Sequence, residues 1–389
     1  MKLATAMSRL GTETAFEVLV KAQALEAKGV HVIHLEIGEP DFPTPDHIIE
    51  AGIAGLREGL TKYCASQGVA PLREAIAIEA GSSRGITVDP ATVVVTPGAK
   101  PIMFYSIMAL VDPGDEVIYP DPGFPIYRSM ISFVGGIPVP LPLRQAREFR
   151  FDVEELKAKV SKKTKMIILN TPHNPTGGAL EKEDLEEIAR LAIENDIVVL
   201  ADEVYRYLQY EGSHFSIASL PGMPERTIIL DGFSKTYSMT GWRLGYGVFP
   251  PDLVGPITKL VVNSVSCTPP FIQKAGLAAL KGSMEPTQKM AAEFKRRRDL
   301  IVDGLNSIPG IKCLRPRGAF YVFPDITGTG MKSREFETYL LQNYGVAALS
   351  GTAFGEYGEG HIRFSYANSY ENIEIALERV AKAVADLGK

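Results

Sequence analysis

A chain of 389 residues exceeds the roughly 250–300 that a single hydrophobic core accommodates, so two domains are expected. Hydrophobic types at 45% and charged types at 22% are ordinary globular values and exclude a disordered, fibrous or coiled-coil chain. Lys plus Arg number 41 against 46 Asp plus Glu, a net charge of -5, and no long basic block points to nucleic acid as a main partner.

The longest stretch free of Lys, Arg, Asp and Glu runs from Thr338 to Gly355. It carries Gln342, Asn343, Ser350 and Thr352, so no membrane span is expected. Near the N-terminus, Arg9 and Glu13 interrupt any apolar run, and a secretion signal is not expected. Cys64, Cys267 and Cys313 are scattered and form no CxxC pair, which fits a reducing, cytoplasmic setting.

In chain order, His31–Ile37 (HVIHLEI) is a strand candidate, and Pro-rich GEPDFPTP is the expected crossing into a large domain. Short apolar runs follow at Thr92–Thr96, Glu116–Tyr119, Met166–Leu169, Ile197–Leu200 and Thr227–Leu230. They alternate with helical patterns at Pro101–Leu110, Asp152–Val160 and Lys182–Glu194. Strands without a polar face require a sheet covered on both sides, and the alternation with helices predicts an α/β layer. Beyond a helix at Phe294–Leu305, the tail reads as a smaller α+β domain. It has strands at FYVF, Val346–Leu349 and His361–Tyr366, and helices at Arg334–Tyr344 and Glu371–Leu387. The expected division is 46–285 for the large domain, 286–389 for the small one, and 1–45 as an N-terminal segment of the small domain.

Four clusters carry chemistry. DGFSKTYSMTGWRLG follows the apolar run TIIL and holds Lys235, an amine able to form a Schiff base with a cofactor aldehyde. An isolated lysine is ordinarily a solvated one. Arg243, eight residues on, offers a planar cationic fork for phosphate. ILNTPHNPTGGAL ends a strand in a turn where Asn174 is either a ring-oxygen donor or an ordinary turn asparagine. In VVLADEVYRYL, Asp202 suits a protonated pyridine nitrogen or a helix N-cap, and Tyr205 is placed to donate to a ring oxygen. VVVTPGAKPIMF ends a strand in a small turn and opens a helix near Lys100, a phosphate-binding arrangement without a nucleotide P-loop or a GxGxxG fingerprint. The six histidines form no ligand set, so no metal site is expected; His173 lies beside Asn174 in a loop. Arg296, Arg297 and Arg298 read as a solvated helix face.

The fragments LEIGEPDFPTP, TKYCASQG, TPGAK, NTPHNPTG, ADEVY, DGFSKTYSMTGWRLG and HIRFSYA occur in an order and spacing that resembles the class I/II aminotransferases of the aspartate aminotransferase superfamily. The resemblance covers nearly the whole chain. It implies PLP-dependent transferase fold type I, with a mostly parallel seven-stranded sheet in a large domain, a smaller α+β domain, and a homodimer with active sites at the subunit interface. It implies pyridoxal 5'-phosphate as cofactor, with an L-amino acid and a 2-oxo acid as substrates in a ping-pong reaction.

Carried over residue by residue, Lys235 resembles the cofactor-bearing lysine and proton-transfer base, and Asp202 the carboxylate facing the pyridine nitrogen. Asn174 and Tyr205 match the donors to the ring oxygen, and Phe124 the aromatic stacked on the ring. Ala99, Lys100 and Arg243 resemble the phosphate site, and Tyr63 the tyrosine reaching the neighbouring subunit's phosphate. Arg363 resembles the arginine clamping the substrate α-carboxylate, with Gly38 allowing close backbone approach. The family often has a hydroxyl residue three places before the lysine; here Gly232 stands there. The helix after the phosphate turn, PIMFYSIMALV, has no charge beyond Lys100, and Ile37 and Phe124 are apolar. Glutamate/2-oxoglutarate with a neutral, aliphatic or aromatic partner is therefore expected, with an aspartate aminotransferase or a β-lyase on the same scaffold as alternatives. A ligand-sensing module without turnover is the remaining, different class.

Overall fold

The computed structural model describes residues 1–388. Its centre is a seven-stranded sheet in the order Val93–Thr96, Gly245–Val248, Thr227–Gly232, Val198–Asp202, Thr164–Asn170, Glu116–Asp121, Ile137–Pro142. Gly245–Val248 runs antiparallel to both neighbours and every other pairing is parallel. The five expected strands of this sheet are all present; four run one or two residues further at the C-terminal end, and two begin one residue later. Apolar runs account for them: Val93, Val94 and Val95 are fully buried, because helices cover both faces.

Two strands lie outside the expected set, and each has a physical reason. Ile137–Pro142 (IPVPLP) carries a proline at every second position, which in a central strand would delete ladder bonds. Here it is an edge strand. Ile137 and Leu143 donate inward to Asp115 and Asp121, so the alternate prolines face the open edge, where no N–H is needed. Gly245–Val248 (GYGV) looks too glycine-rich for a strand. Side chains there are excluded by packing: a Cβ on Gly247 would press on Phe249 and Ile102, and one on Gly245 would strike the Gly98–Ala99 backbone.

Helices at Lys100–Leu110, Ile126–Val134 and Pro251–Ser264 bury Ile102, Ile107, Met130, Ile131, Ile257 and Val261 against one part of the sheet. Elsewhere Lys182–Glu194 packs Leu185 and Ile188 with Ile167 and Val199. Glu181 and Asp184 form a reciprocal capping box that fixes where that helix starts.

A separate cluster around Phe294, Phe320, Phe336, Phe364 and Tyr366 forms the second core. It is assembled from helices Glu285–Asn306, Ser333–Tyr344 and Tyr370–Leu387 and a three-stranded antiparallel sheet of Leu349–Ser350, Ile362–Ser365 and Tyr321–Val322. Phe294 touches Phe42 and Phe320 with ring centroids 5.3 Å away in each case. Truncating such a buried ring costs about 3–5 kcal/mol. The arginine run departs from expectation. Arg296 is exposed, but Arg297 is buried on Asp41 and Glu293, and Arg298 on Glu211 and the Pro316 carbonyl. Three consecutive residues cover most of a helix circumference, so two of them must turn inward on a helix packed against its domain.

The N-terminal segment touches both cores. Arg9 donates to the carbonyls of Ser132 (2.8 Å) and Phe133 (2.9 Å), and Ser129 Oγ accepts from the Gly11 N–H at 2.8 Å. Helix Ala15–Glu26 buries Val18 and Ala22, and Ile33–His34 pairs in parallel with Val346–Ala347. Among the described residues no helix is long and apolar enough to cross a membrane, and no three His, Cys, Asp or Glu side chains group as metal ligands.

Candidate active site

The parallel strands all end at one edge of the sheet, and the antiparallel strand begins there. Asp121, Asn170, Asp202 and Gly232 close their strands, while Arg243 precedes Gly245, which is paired with Gly232. Turns that follow each strand end therefore converge, the usual location of a ligand crevice in an open α/β sheet. They line a cavity of about 500 Å³, within the roughly 300–1,000 Å³ of small-molecule sites. Of the predicted residues, Gly38, Ala99, Lys100, Phe124, Asn174, Asp202, Tyr205, Lys235, Arg243 and Arg363 all line it. Tyr63 does not; it is 88% exposed on the surface.

Lys235 stands in a single helical turn, Phe233–Thr236, directly after Thr227–Gly232. Its Nζ donates to the Gly38 carbonyl at 2.5 Å and lies 5.5 Å from the Phe320 ring centroid and 5.9 Å from that of Tyr205. Burial pulls its pKa down to about 8, with Arg363 and Arg243 adding to the shift against the opposing pull of Glu39. A solvated lysine has none of these features. This amine is held ready to act as a neutral nucleophile and base.

Asp202 is the last residue of its strand and caps no helix. Its Oδ2 accepts from the Tyr127 hydroxyl at 2.6 Å. The neighbouring carboxylates Glu203 and Asp231 are neutralised by Arg84, which reaches them at 2.6 and 2.7 Å, and Arg206 also binds Asp231. Their pKa values are accordingly held low. Asp202 alone of the three has no cationic partner among the described residues, and burial pushes its pKa up to about 7. A buried carboxyl so placed has an unmet demand for a cation. Asn170 donates its amide to the Asp202 carbonyl (3.1 Å) and accepts from the Asn174 N–H (2.9 Å), fixing the adjacent turn. Tyr205 is buried, its hydroxyl 2.8 Å from that of Tyr321.

At the opposite corner, Gly98 adopts φ +84° and packs so closely on the Arg243 guanidinium that a Cβ would collide with it. Arg243 is itself left-handed, and its Nη1 donates to the Thr240 carbonyl at 2.8 Å. The free N–H groups opening helix Lys100–Leu110 and this guanidinium make an anion-binding corner, with Ser234 on the same wall. At Gly232 a Cβ would lie 3.3 Å from the Leu244 carbonyl oxygen and 3.5 Å from Ala99. A hydroxyl residue there would need its neighbours to give, so the expected missing donor goes with tight strand packing.

Arg363 is buried at 4% exposure, with Nη1 donating to Asn174 Oδ1 (3.1 Å) and Nη2 to the Glu36 carbonyl. Its guanidinium lies 4.4 Å from the Tyr321 ring centroid and 4.9 Å from that of Phe354. Its Nε has no partner among the described residues, and burial lowers its pKa. A carboxylate is the group such a fork seeks. Gly38 is required by contact, since a Cβ would overlap the Tyr321 hydroxyl. His173 is buried and does not line this cavity; its Nδ1 is 2.8 Å from the Thr176 hydroxyl, and burial pulls its pKa down to about 3 and holds it neutral. Tyr127, Tyr321 and Glu13 also reach the site: Tyr127 lies three residues after Phe124, whereas Tyr321 and Glu13 are brought in by packing from distant segments.

These residues fit pyridoxal phosphate. They comprise a buried amine for its aldehyde, a buried uncompensated carboxyl for its ring nitrogen and a cationic corner for its phosphate. Comparison with known proteins agrees. The sequence profile of the family described as aminotransferase class I and II matches residues 30–380. The chain is 42% identical to aromatic-amino-acid aminotransferase 2 of Thermococcus litoralis, over 92% of this chain and 94% of that one. It is 44% identical to the aspartate aminotransferase of Pyrococcus abyssi, over 91% and 92%. The solved aspartate aminotransferase of Thermus thermophilus with maleate superposes with a TM-score of 0.95 at 37% identity, over 98% of this chain and 100% of that one.

The chain belongs to the class I and II aminotransferases. It is a pyridoxal-phosphate-dependent enzyme of fold type I that transfers an amino group by a ping-pong reaction.

Proposed function

We propose that this enzyme is an aspartate aminotransferase with 2-oxoglutarate as acceptor, and that it also takes aromatic donors. The observation that carries the reading is that, beside Lys235 and Arg243, two further basic side chains line the cavity: Arg363 deep in it and Lys100 toward its mouth. Two carboxylates on one substrate match two cations. This puts the aspartate alternative ahead of the neutral-substrate expectation, which rested on the uncharged helix beyond Lys100 and on apolar Ile37 and Phe124, with Lys100 given to the phosphate turn alone. The aromatic range is supported by Phe16, Phe124 and Phe354 on the cavity wall, and by relatives named for both kinds of donor.

In this reading Lys235 would bear the cofactor, Asp202 would keep its ring nitrogen protonated, and Tyr205 and Asn174 would donate to its ring oxygen. Phe124 would pack against the ring, and Ala99, Lys100 and Arg243 would hold the phosphate, Lys100 through its backbone N–H. When bound, pyridoxal phosphate supplies an electron sink for charge left at the substrate α-carbon. Arg363 orients the α-carboxylate with a bidentate fork, and Gly38 leaves room for it. Lys235 Nζ would take the α-proton, a task suited to an amine with a pKa lowered to about 8. The aromatic walls exclude water from that transfer.

We further assign 46–285 to the large domain and 286–389 to the small one, with 1–45 joining the latter. A homodimer in the cytoplasm accords with Tyr63, exposed and away from its own cavity, and with three free cysteines.

A half-reaction screen tests the function. Mixed singly with the yellow holoenzyme, aspartate, glutamate and phenylalanine should each bleach the cofactor absorbance, and 2-oxoglutarate should restore it. Ammonia and pyruvate released from a β-substituted amino acid without an acceptor, in place of bleaching, would instead indicate a lyase.

A further inference from the structure

Glu13 forms an ion pair with Lys100 across the mouth of the cavity. Both side chains line it, with Glu13 at 19% exposure and Lys100 at 44%. Glu13 comes from the N-terminal segment, 87 residues from Lys100, and lies just before helix Ala15–Glu26. Its position is not that of a loose tail, because Arg9 and Gly11 tie the preceding residues to Ser129, Ser132 and Phe133. The carboxylate is near enough for its charge to act on Lys235, Tyr321 and Arg363. Beside the pair are apolar surfaces: Phe16 on the same segment, and Phe124, whose ring centroid is 5.4 Å from Lys100 Nζ.

We propose that Glu13 is a specificity-determining residue. Its carboxylate holds Lys100 as a built-in stand-in for an acidic substrate side chain. Neutral and aromatic donors enter with the pair closed and rest on Phe16; a dicarboxylic donor must displace Glu13 to reach Lys100. The inference rests on the reading of Lys100 given above. A partly exposed ion pair is weak, so the pair biases the choice of donor and does not forbid either class.

The test is the half-reaction kcat/KM of the holoenzyme for aspartate and for phenylalanine at fixed ionic strength, in the parent, Glu13→Gln, Lys100→Met and the double variant. Glu13→Gln should raise the aspartate-to-phenylalanine ratio by about two- to fivefold, chiefly through KM, the span expected for a partly exposed pair. In the Lys100→Met background the same change should leave the ratio where it was. An unchanged or lower ratio in Glu13→Gln would overturn the proposal, as would an equal rise without Lys100, which would mark a diffuse charge effect. Failure of the parent reading looks different: Lys100→Met alone would then leave the aspartate rate intact.

Discussion

Tyr127 donates its hydroxyl to Asp202 across 2.6 Å, from a helix 75 residues upstream of the carboxylate it serves. Both groups are buried, and the bond is the largest of the influences that favour the ionised carboxylate, opposing a burial that still leaves the Asp202 pKa raised to about 7. An ionised Asp202 is what a protonated ring nitrogen requires.

Tyr127→Phe removes that donor and leaves the volume nearly unchanged. The Asp202 pKa should rise further, since the lost bond favoured the charged form. A hydrogen bond to a charged group is worth roughly 1.5–3 kcal/mol, so kcat/KM should fall by about one to two orders of magnitude. Steady-state kinetics and cofactor titration measure it. Unaltered activity and affinity would show the bond to be incidental.

The Gly38 carbonyl accepts a hydrogen bond from Lys235 Nζ, while the missing side chain of Gly38 leaves space for the Tyr321 hydroxyl. In Gly38→Ala, Tyr321 must move, and with it the bond to Tyr205. Overpacking of this kind costs about 1–3 kcal/mol. Urea unfolding should register that loss, and kcat should fall with it because the displaced groups surround Lys235.

Capture of cofactor by the apoenzyme should depend on pH through Lys235. Only the neutral amine attacks an aldehyde, and burial lowers this group's pKa to about 8. The capture rate should therefore rise by about tenfold per unit below that value and level off above it. Stopped-flow absorbance at constant pyridoxal phosphate follows this directly. A rise continuing to the ordinary lysine range near 10.4 would mean that the amine is solvated.

How much of this was legible in the chain depended on whether neighbours in sequence were also neighbours in space. Lys235, Asp202, Asn174 and Arg243 follow or precede apolar strands by a few residues, so the sheet edge gathers them as soon as the strands are recognised. Lys182–Glu194 was readable to the residue because a capping box marks its start and its apolar stripe is clean. Ile137–Pro142 and Gly245–Val248 were not, because proline and glycine obscure strand character, and only the open edge and the tight Gly98 contact explain them. Tyr321 and Glu13 carry no local mark at all, and Tyr127 has only its nearness to Phe124. The roles of Tyr321 and Glu13 arise where the small domain and the N-terminal segment close over the same cavity. The arginine run misled for a similar reason: charge implies solvent until Asp41 and Glu211 are seen to meet Arg297 and Arg298.

The bond expected between Lys235 and the cofactor's carbonyl carbon is the step on which the proposed chemistry depends. Borohydride reduction of the holoenzyme, followed by proteolysis and mass mapping, should leave a phosphopyridoxyl group on the peptide containing Lys235 and on no other. Lys235→Ala should bind cofactor without acquiring the label. A label on a different lysine, or none on cofactor-saturated protein, would contradict the assignment of the site.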